Sequence, residues 1–203
     1  MNYNNGDKYI GSIKNKRRWG QGVYTYKSGA KYDGQWQNGR KHGMGTYTYP
    51  SGSQYKGQWY NDEKHGTGLF TYSSGNVYFG DWVKGKQAGL GEFLYKVGDK
   101  YVGEWQNGQK HGKGVYMYAD EDRYEGTWSN DKKTGKGSYI FSFGDRYDGD
   151  WQDDMMHGKG VLTLKIGGGF EGIWQNDNIE GKGIYMYPDG RREIREYKKG
   201  IKL

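Results

Sequence analysis

Tyr32-Asp33-Gly34-Gln35-Trp36-Gln37-Asn38-Gly39-Arg40-Lys41-His42-Gly43-Met44-Gly45 is the stretch whose reading decides the fold. Tyr32, Gly34 and Trp36 stand at alternate positions and therefore share one face of an extended strand. Gly43 and Gly45 alternate in the same way and lead into Tyr47 and Tyr49. Between the two runs lies Asn38-Gly39, a dipeptide that accepts the left-handed backbone a two-residue hairpin turn needs. The stretch is one β-hairpin with its rings on one face.

Outward from it, the pattern recurs every 23 residues without insertion or deletion. The first slot holds Tyr9, Tyr32, Tyr55, Tyr78, Tyr101, Tyr124, Tyr147 and Phe170. Four residues later stand Ile13 and then Trp36, Trp59, Trp82, Trp105, Trp128, Trp151 and Trp174. The second half of each copy carries a Gly-x-Gly followed by two large residues, as in Tyr47/Tyr49, Tyr116/Tyr118 and Tyr139/Phe141. Eighteen of 21 tyrosines and seven of 8 tryptophans occupy these slots, which chance does not produce. A second, tight turn such as Ser28-Gly29 or Asp189-Gly190 joins one hairpin to the next. Eight hairpins and one extra strand give about 17 strands, and a sheet roughly 80 Å long at ~4.8 Å per strand. The glycines beside the rings leave room for neighbouring aromatics to lie across the strand.

Composition narrows the function. The 203 residues include 38 glycines and no cysteine, which removes disulfides and thiolate chemistry. The longest apolar run, Val115 to Ala119, is too short for a membrane span. The longest glycine-free stretch is Val115 to Glu125, so long helices are excluded. All four histidines (His42, His65, His111 and His157) occupy one slot of the repeat. Equivalent atoms two strands apart lie ~9.6 Å from each other, too far to share a metal ion, so they read as turn residues held by backbone or rings. No catalytic, cofactor-binding or metal-binding set emerges, and the chain reads as a non-enzyme without a cofactor. The Gly-x-Gly pairs lie inside hairpins, where no nucleotide loop forms. Asp120-Glu121-Asp122 replaces the usual Ser-Gly turn and reads as a looser, solvated acidic turn.

Tyr-x-Gly-x-Trp-x-x-Gly-x-x-His-Gly-x-Gly in a 23-residue period resembles the MORN-repeat family (membrane occupation and recognition nexus). Tyr32 to Gly45 and Tyr101 to Gly114 match in full. The likeness divides the chain into a lead-in over 1–8, eight repeats over 9–190 and a basic C-terminal cap over 191–203. Departures are Ile13 and Trp19 in the first copy, Ala88, Thr134 and Glu180 at the histidine slot, and Leu162/Leu164 in the seventh copy. Glu193, Arg195 and Tyr197 replace Tyr, Gly and Trp in a ninth half-copy. The resemblance implies an all-β, elongated, single-layer twisted meander with a groove, used for binding. It also implies a cytoplasmic, cytoskeletal setting such as the ciliary or flagellar axoneme and its radial-spoke heads.

A non-enzymatic scaffold is the expected function, with an extended or helical segment of a partner protein seated along the aromatic face. Its expected anchors are Trp36, Trp59, Trp82, Trp105, Trp128, Trp151 and Trp174 with Tyr47, Tyr49, Tyr116 and Tyr118. A homodimer or a neighbouring subunit would meet Leu162, Leu164, Phe170, Tyr197 and Leu203, the last two exposed on an unpaired final strand. The alternative is a peripheral module that binds acidic phospholipid through Lys16, Arg17, Arg18, Arg191, Arg192, Lys198 and Lys199. Residues 1–119 carry a net charge of +9, 120–154 of −5 and 155–203 of +3. That acidic interruption argues against a nucleic-acid track.

Overall fold

The computed structural model describes residues 1–203 and is all-β, with eighteen strands and no helix. Contacts divide it into two units, Met1–Val97 and Gly98–Leu203. The first holds β1 (Lys8–Lys14), β2 (Arg17–Thr25), β3 (Lys31–Gln37), β4 (Arg40–Thr48), β5 (Gln54–Tyr60), β6 (Glu63–Thr71), β7 (Val77–Val83) and β8 (Lys86–Leu94). The second holds β9 (Lys100–Gln106), β10 (Gln109–Met117), β11 (Arg123–Ser129), β12 (Lys132–Ile140) and β13 (Arg146–Gln152). It continues through β14 (Met155–Thr163), β15 (Gly169–Gln175), β16 (Asn178–Met186), β17 (Arg192–Lys198) and β18 (Ile201–Lys202). Within each unit every strand pairs antiparallel with the next, a meander of hairpins as the sequence predicts.

The hairpin turns have the backbone their residues favour. Asn38 and Gly39 lie at φ 51° and 82°, and Asn107 and Gly108 at 54° and 88°. Beyond the turn, Trp36 pairs with Lys41 while Gly34 pairs with Gly45, so residues 42–44 face Gln35 alone. This bulge places Gly43 at φ 60°, and the Gln35 side chain closes it by accepting the Met44 N–H at 2.8 Å. The histidine slot therefore lies in a strand at the bulge rather than in a turn. His42 and His65 stand 5.3 and 5.7 Å from the Tyr60 ring.

The core of a single-layer sheet is built from its own rings. Tyr32 is fully buried because its ring lies across Gly34 and Gly45 on neighbouring strands; a Cβ on either would strike it. Its hydroxyl donates to the Gln35 carbonyl at 2.9 Å. Trp36 and Trp59 stand edge-on to that ring at 5.0 and 5.4 Å, so the tyrosine is held between indoles of two successive copies. Each such pair contributes about 0.5–1.5 kcal/mol beyond area burial. The indole N–H of Trp59 donates to the Gly45 carbonyl at 3.1 Å, and that of Trp128 to Gly114 at 3.3 Å. The rings thus cover the sheet without a second layer.

The tight turns carry a clamp that composition did not suggest. Asp122 accepts the Tyr139 hydroxyl and, at 2.7 Å, the Ser142 N–H of the next copy's turn. Asp99 holds Tyr116 at 2.6 Å and Ala119 at 2.9 Å in the same way. Burial works against the Asp122 charge, yet the Tyr139 and Ser142 donors hold its carboxyl below the ordinary range. The 120–122 turn is accordingly not a looser one. Glu121 N–H donates to the Tyr118 carbonyl at 3.1 Å, matching Gly29 to Tyr26 at 3.0 Å in the first copy.

The tail also differs from expectation. Tyr197 is half-buried, 5.3 Å from Phe170, and does there what tryptophan does in earlier copies. β17 is not left unpaired, since β18 returns onto Tyr197 and Lys198 and makes the strands eighteen in number. Leu203 remains 72% exposed.

Candidate functional site

The two faces of the sheet differ in what they leave open. On the ring face the tryptophans expected as anchors lie under cover, at 3–7% exposure from Trp36 through Trp59, Trp82, Trp105, Trp128 and Trp151 to Trp174. Lysines close over Trp59, Trp82, Trp128 and Trp151, and Arg18 over Trp36. Lys41 Nζ lies 4.4 Å from the Trp59 ring and 4.8 Å from Tyr47, and Lys110 Nζ 4.5 Å from Trp128. Ring faces attract such cations, so the lid is an attractive contact and not mere coverage. Tyr47, Tyr49 and Tyr118 are half-buried, whereas Tyr116 is buried. Within each unit they pair ring to ring, Tyr47–Tyr49 at 4.6 Å in the first and Tyr116–Tyr118 at 4.5 Å in the second. A partner on this side meets tyrosine edges and lysine stems, not indole faces.

Burial lowers the affinity of these lid lysines for their proton. Lys64, 4.0 Å from the Trp82 ring, is pushed down to about 8. Its neighbouring turn is Lys84-Gly85, whereas Lys41, Lys110 and Lys133 lie near the turn acids Asp62, Asp131 and Asp154, which oppose the downward shift.

The opposite face of the 98–203 unit is open. A groove of about 1220 Å³ runs over it from Val102 on β9 to Ile184 on β16. Its floor alternates with the rings along each strand: Val115 lies between Gly114 and Tyr116, and Glu125 between Tyr124 and Gly126. Val115, Val161 and Ile173 give it apolar patches, and Lys113, Lys136 and Glu125 give it charge. Lys136 Nζ stands 2.6 Å from Asp150 and holds that carboxyl below the usual carboxylate range. On the 1–97 unit the corresponding face carries Ile10, Phe79 and Leu90, all exposed.

The other expected contacts are distributed as follows. Leu162 and Leu164 are half-buried and Phe170 is buried against Trp174 and Tyr197. Lys16, Arg17, Arg192, Lys198 and Lys199 are exposed. Arg18 is engaged within the ring layer, 4.2 Å from Trp36 and bonded to the Gly39 carbonyl at 2.6 Å. Arg191 is held by Asp189 at 2.6 Å. Of the acids of 120–154, Asp153 pairs with Lys132 at 2.8 Å and Asp154 accepts the Lys133 N–H at 2.9 Å.

A ring-filled β-repeat with an open face defines a class of repeat protein, and sequence comparison names it. The MORN-repeat profile matches eight consecutive segments, 9–31, 32–54, 55–77, 78–100, 101–123, 124–146, 147–169 and 170–191. The chain belongs to the MORN-repeat family. No curated protein matches it by sequence. Among solved structures, the G-box domain of the microcephaly protein CPAP is similar at 11% identity and a TM-score of 0.50, covering 98% of this chain and 97% of that one. The TCP domain of Drosophila melanogaster SAS-4 (dCPAP), in complex with a proline-rich motif of Ana2 (dSTIL), shares 15% identity. There the TM-score is 0.49, over 77% of this chain and 85% of that one. At 11% identity the likeness to the CPAP domain concerns the fold alone.

Proposed function

We propose that this protein is a non-enzymatic scaffold that holds a segment of a partner protein on the open face of its 98–203 unit. The groove of about 1220 Å³ carries the reading. It combines apolar floor residues with unburied charge, the composition of a peptide-binding surface rather than of a core. Half-buried tyrosines, Tyr47 and Tyr49 in the 1–97 unit and Tyr118 in the 98–203 unit, offer each unit a second contact on its ring face, with the tryptophans as support. The proposal extends to a cytoskeletal assembly, the ciliary or flagellar axoneme among them, a setting implied by membership of the family.

Floor substitutions test it. Val115→Asp with Ile184→Asp leaves the ring layer intact and places charge where an apolar contact is proposed. The doubly substituted chain is expected to melt like the parent and to lose the partner the parent captures. Retained capture would refute the groove as the contact. Sedimentation with acidic vesicles at two salt concentrations tests the lipid alternative, which requires binding that falls steeply with salt through Lys16, Arg17 and Lys198.

A further inference from the structure

The groove carries a charge ladder confined to the second half of the array. Twelve residues after each copy's first aromatic, copies five to eight hold Lys113, Lys136, Lys159 and Lys182, whereas copies one to four hold Gln21, Met44, Thr67 and Leu90. All four lysines line the groove. They stand on β10, β12, β14 and β16, so successive lysines are two strand spacings apart, ~9.6 Å. A second row, one residue after the first aromatic, holds Glu125, Asp148 and Glu171 on the strands between. Lys136 with Asp150, Arg123 with Glu125 and Arg146 with Asp148 are ion pairs of the exposed kind, which contribute little and exchange readily for better partners.

Resting on the groove reading above, we propose that this ladder recognises a polyproline II segment of a partner protein, carrying an acidic residue at every third position. Periodicity decides between occupants. Polyproline II repeats its side-chain direction every three residues, or ~9.3 Å. An α-helix returns to one face after seven residues, ~10.5 Å, which exceeds the ladder spacing, and on the inner side of a groove lysine tips draw closer, not apart. A β-strand keeps one side only at even separations, ~6.7 or ~13 Å, and fits neither. Four lysines thus match four triplets, about twelve residues. A basic residue elsewhere in the triplet, ~3.1 or ~6.2 Å along, reaches the acidic row one strand spacing away. The remaining position points out of the groove. The acids in the floor disfavour a uniformly anionic ligand such as nucleic acid or a lipid surface.

The probe is a labelled twelve-residue peptide of four Glu-Pro-Lys triplets, titrated against the full chain by fluorescence anisotropy. Its comparison is a peptide of identical composition with acids at separations of two and four. The triplet peptide is expected to bind at least about tenfold more tightly. Changing the four lysines to glutamine (K113Q, K136Q, K159Q, K182Q) is expected to remove that preference, and changing Lys16 and Arg17 to glutamine to leave it. Because the ladder is exposed, the four-lysine variant should show the parent's melting curve. Equal binding of the two peptides, or an unchanged preference without the lysines, would overturn the proposal. So would the absence of binding by either peptide. Loss of partner capture by the Val115→Asp, Ile184→Asp chain would in those cases still uphold the broader groove reading.

Discussion

At the scale of single residues, the energetics concentrate in rings that cover one another. Trp105 and Trp128 both stand edge-on to the Tyr101 ring, at 5.3 Å each. Trp105→Ala and Trp128→Ala are each expected to cost roughly 3–5 kcal/mol, the range for large buried aromatics, read as a fall in the circular dichroism melting midpoint. Ile13→Ala should cost less, since Ile13 is 45% exposed. Glu121 sits at φ 75° in the position where other copies place glycine. Glu121→Gly therefore relieves left-handed strain and should stabilise by about 0.5–1 kcal/mol, a small rise in the midpoint. A fall would show that the acidic turn draws more from the Glu121 side chain than its backbone loses.

At the scale of elements, hairpins are tied to their neighbours by polar groups whose protonation sets a pH dependence. The Asp122 carboxyl titrates lower in the folded chain than its ordinary 3.8. Its contribution is thus complete above that value and lost as pH falls through the lower, folded one. Asp122→Asn should melt earlier than the parent at neutral pH, with the gap closing near the acid end. Lys64 shifts stability in the same direction at the alkaline end, because burial disfavours its charge. Its folded value of about 8 lies below the ordinary 10.5, so the unfolded chain binds more protons between them and stability rises with pH in that window. Lys64→Met should flatten this rise, checked by melting midpoints across pH 8 to 10. The period and both turn types were readable because each copy repeats them. Period-2 alternation assigned the rings to one face but could not say that the indoles are buried with their N–H groups on glycine carbonyls. For that reason the tryptophans read as available anchors and the open groove went unseen. The Asp122 clamp was hidden because its slot varies in type, from Asp7 through Ala30 and Ser53 to Asp145.

At the scale of the whole molecule, the two faces of the repeat differ: the rings hold the sheet together, and the other face of the 98–203 unit is the proposed binding face. A C-terminal contact with a second copy or another subunit is a separate proposal. It rests on Ile201, exposed on the last strand, and Leu203, exposed just after it. Ile201→Asp with Leu203→Asp should abolish any concentration-dependent mass in light scattering, and an unchanged mass would place self-association elsewhere. Site-specific photo-crosslinking reads the occupant of the groove in the intact protein. A photoreactive side chain at Val161 on the groove floor, compared with one at the exposed Ser142 turn, is allowed to react while a captured partner is bound. A covalent adduct to a proline-containing, charge-alternating peptide from position 161 and none from 142 is the predicted result. Adducts from 142 alone, or none from 161 with the partner demonstrably bound, would contradict it.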